Sequence, residues 1–88
     1  TMYVNKKIEL HAKCLAVLGM IGRLNEKISQ SERRLANGDR AGWDANIRLM
    51  WRREEISYRI ETDCLIKERL VNYYQRTLDK LHETAVQE

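Results

Sequence analysis

Apolar and small residues recur at alternating four- and three-residue steps from Leu10 through Cys14, Val17, Ile21, Leu24 and Ile28 to Ser31 and Leu35. Such alternation keeps successive side chains on one face of an α-helix, so it predicts a long helix with a heptad seam. The run meets Asn37-Gly38, a pair suited to ending a helix because glycine enters the left-handed conformation without steric cost. Asp39 then offers an oxygen to the first free amides of a second helix, with Asp44 as the alternative cap one turn later. The second periodic stretch passes through Trp43, Ile47, Met50, Ile56, Ile60, Cys64, Val71, Tyr74, Leu78, Leu81 and Ala85, with no glycine or proline inside it.

The spacing predicts helix 1 over about residues 5–36, a turn at about 37–39 and helix 2 over about 40–86, all in one domain. So short a connection folds the helices back as antiparallel neighbours. With the reversal near residue 39, facing residues have numbers adding to about 78, which sets Leu35 against Trp43, Ile28 against Met50 and Cys14 against Cys64. Helix 2 then overruns helix 1 by about 15 residues.

An isolated hairpin needs one apolar seam per helix, and this chain carries more. Helix 1 has a second line at Ile8, His11, Leu15 and Leu18, and helix 2 has Leu49, Ile66, Leu70 and Tyr73 off its main seam. Faces this wide fit a bundle. The expected fold class is therefore all-α, an antiparallel hairpin of two long helices that assembles into a four-helix bundle or coiled-coil dimer. The expected interface is Ala12, Leu15, Ala16 and Gly19, where small side chains admit another backbone, together with Tyr73, Tyr74, Leu78 and Leu81 on the overrunning end of helix 2.

Composition supports long helices: proline is absent, only four glycines occur and 33% of residues are charged, while 43% apolar content is enough for a core. Two cysteines are too few for a secreted disulfide framework, which points to a reducing, cytoplasmic setting. The uncharged run from Cys14 to Gly22 is far shorter than the roughly 20 residues of a membrane span. It also lacks a signal-peptide cleavage pattern, because Glu9 interrupts the leading segment and the helical period continues through it. The net charge of +3 and pI near 9.0 are modest. Their distribution is uneven: residues 23–53 hold eight basic and four acidic residues, whereas residues 54–88 hold five basic and eight acidic.

Candidate chemistry is sparse. His11 and Cys14 lie one helical turn apart, and Cys64 with Asp63 would face them in the expected register, but the spacing matches no zinc pattern and no metal or cofactor is expected. Nucleophilic catalysis needs a base held by a third group, and the chain offers only His11 and His82. Gly19 and Gly22 have a GxxG spacing inside a helical seam, and residues 37–42 lack the lysine and preceding strand of a phosphate loop. No catalytic residue is assigned.

The turn end is richer: Arg34, Arg40, Arg48, Arg52 and Arg53 cluster with Trp43 and Trp51, the residue types favoured at protein interfaces and at single-stranded nucleic acid. The sequence thus suggests a non-enzymatic helical interaction module, an adaptor, regulator or assembly element, that forms a homodimer or binds another helical protein. One alternative is a nucleic-acid-associated regulator using the turn end. The other is a small helical enzyme holding an anion between subunits with Arg23, Arg52, Arg53 and Arg59.

Overall fold

The computed structural model describes the backbone of residues 2–42 and 47–87 and the side chains of residues 4–42 and 50–84. Two helices, α1 (Met2–Arg40) and α2 (Ile47–Gln87), pack against each other as the all-α hairpin that the spacing predicts. In α1 the least exposed positions are those of the expected seam. Leu10, Cys14, Val17, Ile28 and Ser31 are buried, and Ile21, Leu24 and Leu35 are half-buried.

In α2 the seam differs from expectation. The covered line runs through Arg53, Ile56, Ile60, Asp63, Lys67, Leu70, Tyr74, Thr77, Leu81 and Thr84, an unbroken three-four alternation, with Ser57 and Leu78 half-buried beside it. Met50, Cys64 and Val71, expected inside, are exposed, while Trp43, Ile47 and Ala85 fall outside the described side chains. The reason is geometric: the side of α2 that lies against α1 is covered at alternating three- and four-residue steps, whichever residues stand there. Thr77 and Thr84 are buried there without loss of hydrogen bonding, because each hydroxyl donates to the carbonyl four residues back, Tyr73 O and Lys80 O, both at 2.9 Å.

The reversal also lies further along the chain. Gly38 sits within α1, and the glycine that leaves the helix is Gly42, whose φ of 75° is in the left-handed region. Ala41 N donates to Asn37 O at 3.0 Å and Gly42 N to Asp39 O at 3.2 Å, satisfying carbonyls at the end of α1. Asp39 belongs to α1 rather than capping α2, and it accepts a hydrogen bond from Arg53 Nε at 2.9 Å across the hairpin. That tie and the two seams put facing residues at numbers adding to about 91 instead of 78. Leu10 is thus level with Leu81, Cys14 with Thr77, Ile28 with Asp63 and Leu35 with Ile56. Cys14 is buried and Cys64 is exposed, on separate layers.

With 39 and 41 residues the helices are nearly equal, so α2 does not overrun α1. The hairpin is a rod of 64 × 15 × 14 Å with a radius of gyration of 19.5 Å, against about 12 Å for a compact domain of this length. Two helices cannot enclose much. Among the described residues five apolar side chains are buried and twelve large ones are exposed, so most of the apolar surface lies outside the seam.

Candidate interaction faces

A heptad seam at positions a and d divides the remaining surface of each helix, with c and g on one flank and b and e on the other. In an antiparallel pair the e positions of the two helices border the same side, so each flank of the hairpin is built from both helices. The two flanks have opposite characters.

On the b/e flank of α1, Val4, Ile8, His11, Leu15, Leu18 and Gly22 repeat the four-three alternation of the buried seam. This second seam is uncovered: Ile8 is 63% exposed, Leu15 58%, Val4 47% and Leu18 45%. Its open end forms a groove of about 450 Å³ where Val4, Lys7, Ile8 and His11 meet Leu81 and His82 of α2. Val71, also exposed, extends the flank along α2. Ala12 and Gly19 are exposed beside this line, whereas Ala16, also exposed, is a c position on the other flank. A Cβ on Gly22 would meet nothing within 4 Å, and one on Gly19 would make only an ordinary 3.7 Å contact with Arg23 Nη1. Nothing in the hairpin itself therefore requires these glycines, although each costs about 1 kcal/mol of helix propensity relative to alanine.

Of the interface residues expected on α2, Tyr73 is exposed, whereas Tyr74, Leu78 and Leu81 are half-buried. The equal helix lengths explain this, since α1 lies beside the stretch that an overrun would have left bare. Towards the turn the same b/e flank changes to carboxylates, with Glu32, Asp39, Glu54, Glu61 and Glu68 and no lysine or arginine among its described residues.

The c/g flank is basic. Ten lysines and arginines with described side chains fall at its positions against three glutamates, and all ten are exposed. Two adjoining grooves between the helices share Lys27: one joins Lys27, Gln30, Ser31 and Arg34 to Arg59 and Asp63, the other joins Met20, Arg23, Leu24 and Lys27 to Ile66 and Leu70. Two of the glutamates are engaged along their own helices, Glu9 with Lys13 at 3.1 Å and Glu55 with Arg59 at 3.6 Å. The hydrogen bond from Lys13, then its charge and that of Lys6, hold the Glu9 carboxyl below its ordinary value. The same bond, then the negative charge of Glu9, raises Lys13.

The turn end is less unified than the sequence suggests. Trp43 and the side chain of Arg48 lie outside the described residues. Arg53 is half-buried and engaged with Asp39, and its Nη1 lies 3.8 Å from Glu54. Arg40 donates to Asn37 Oδ1 on its own helix. Trp51 is 74% exposed, while Arg34 and Arg52 belong to the basic flank. The four arginines of the enzyme reading do not converge: Arg23 and Arg59 line different grooves, and Arg53 points to the other side. Sequence reading missed Lys27, Arg69 and Arg76 as members of a shared surface. The available signal was the seven-residue spacing of Lys6, Lys13, Lys27 and Arg34, and of Arg69 and Arg76.

Among the described residues no three His, Cys, Asp or Glu side chains gather as metal ligands, and no helix is long and apolar enough to cross a membrane. No protein-family model, curated protein or solved structure matches this chain.

Proposed function

We propose that this protein is a non-enzymatic helical interaction module whose b/e flank docks on a second copy of itself. The observation that carries this reading is the uncovered second seam of α1, because a line with heptad spacing is matched by another helix. Its steps read the same in both directions. An antiparallel α1–α1 contact about a two-fold axis near residue 13 places Val4 opposite Gly22, Ile8 opposite Leu18 and His11 opposite Leu15. Each layer then has complementary size, and Gly22 gives space to the incoming Val4.

Surface area supports the same reading. The hairpin exposes 6847 Å², whereas a compact monomer of 10.5 kDa exposes about 5,400 Å². The excess of roughly 1,400 Å² per chain is more than the roughly 800 Å² that each partner buries in a standard interface. Charge selects the arrangement. Overlapping the open ends pairs apolar with apolar and carries the Glu32, Asp39, Glu54 and Glu61 regions of the two copies to opposite extremities. Stacking the hairpins side by side in parallel would oppose like charges along that half of the flank. The resulting dimer is a short four-helix bundle at its centre with a two-helix arm at each end, an architecture suited to holding two attachment points apart.

Cysteine cross-linking tests the arrangement directly. In a Cys64→Ser background, where the remaining Cys14 is buried, Ala12→Cys should be joined to its mate by a short bismaleimide. Ala36→Cys should not, because its mate lies about 70 Å away along the rod. Cross-linking at position 36 and not at 12 would exclude the open-end overlap.

A further inference from the structure

The basic c/g flank takes no part in that self-association and needs its own explanation. Lys13 and Arg59 are paired within the hairpin, but among the described residues Arg23, Lys27, Arg34, Arg69 and Arg76 have no carboxylate within 4 Å. They share one flank, three on α1 and two on α2. Arg23 is almost level with Arg69 across the helices, and Arg34 and Arg76 bound a stretch of about 28 Å along the rod. That is the length of about eight base pairs at the 3.4 Å spacing of each strand.

We propose that this flank binds the backbone phosphates of duplex nucleic acid, without reading its sequence. The two phosphate-bearing strands of a duplex suit a band of cations carried on two helices at any register, and the release of condensed counterions drives such binding. The flank does not have the features of a membrane surface. Of its large exposed apolar residues, Met20 and Ile66 line the groove between the helices with Leu24 and Leu70, and Tyr73 is 39% exposed, so the apolar part is a short groove and one tyrosine, not a continuous edge that enters an acyl layer. This surface lies along the rod, not at the turn end, and it stays clear of the open-end seam. A dimer would present it twice, once on each protomer.

The test is fluorescence anisotropy with the full chain and labelled 20-base-pair duplexes of mixed sequence, one of DNA and one of RNA. Saturable binding at 50 mM salt is expected, with affinity falling about 10²–10³-fold by 200 mM, as four to five phosphate contacts dictate. Comparing the two duplexes shows which nucleic acid the flank prefers. The triple variant R23E/K27E/R34E should bind at least 100-fold more weakly, while Arg33→Glu, on the outer face of α1, should change affinity less than threefold. All four positions are exposed, and circular dichroism checks that helicity is retained. No binding to either duplex at 50 mM salt, or binding untouched by the triple reversal, would overturn the proposal. So would tighter binding to vesicles containing phosphatidylserine than to either duplex. The solution mass of the protein without nucleic acid is unaffected by these outcomes, so the self-association reading stands or falls separately.

Discussion

Leu10→Ala should unfold much of the hairpin, lowering its stability by about 2–5 kcal/mol. Leu10 is the most enclosed side chain described, at 2% exposure, and it sits in the layer shared with Leu81. A chain of this length has about 4–13 kcal/mol in total, so one cavity removes a large part of it. Two helices cannot relax around the void without separating. The thermal midpoint should fall by at least about 10 °C, given about 4–8 °C per kcal/mol for a small domain. Ile8→Ala, two residues away and 63% exposed, should change the midpoint of the dilute, dissociated protein by little, as surface substitutions do. Equal losses at the two positions would mean that the seam has been placed on the wrong face.

The second large effect belongs to the other seam. Ile8→Glu with Leu15→Glu should leave the hairpin helical and weaken self-association at least 100-fold, read as the dissociation constant in sedimentation equilibrium. Each apolar side chain buried at the contact contributes about 1.5–3 kcal/mol, and both copies carry both residues. The replacements would also leave carboxylates without partners in an apolar interface, a further cost. Two losses of 1.4 kcal/mol already give the hundredfold change. Unchanged association in this variant would remove the α1 seam from the interface. Reduced helicity alongside dissociation would show that these side chains support the hairpin itself.

The helices and the α1 seam were legible in the sequence because leucine, isoleucine, valine and cysteine mark every step from Leu10 to Ile28 without interruption. The α2 seam was not. Apolar side chains lie on several lines of that helix, and choosing them by hydrophobicity selected Cys64 and Val71, while packing against α1 covers Asp63, Lys67 and Leu70 instead. The register failed for a related reason. Asn37-Gly38 has the chemistry of a helix end, but the helix continues to Arg40, where Gly42 supplies the left-handed residue. Moving the reversal by a few residues shifts every facing pair, which separated Cys14 from Cys64 and removed the overrun. The second seam at Ile8, His11, Leu15 and Leu18 was visible from spacing alone. Segregation of charge into a basic and an acidic flank emerges only once the seam is fixed, since residues far apart in sequence are assigned to a flank by their distance from it.

Small-angle X-ray scattering combined with solution mass tests the central claim most directly. The hairpin is 64 Å long. Two copies overlapping at their open ends about residue 13 should give twice the monomer mass and a maximum dimension of about 90 Å. A monomer of 10.5 kDa at concentrations where stable interfaces persist, or a dimer no longer than the 64 Å hairpin, would contradict the account.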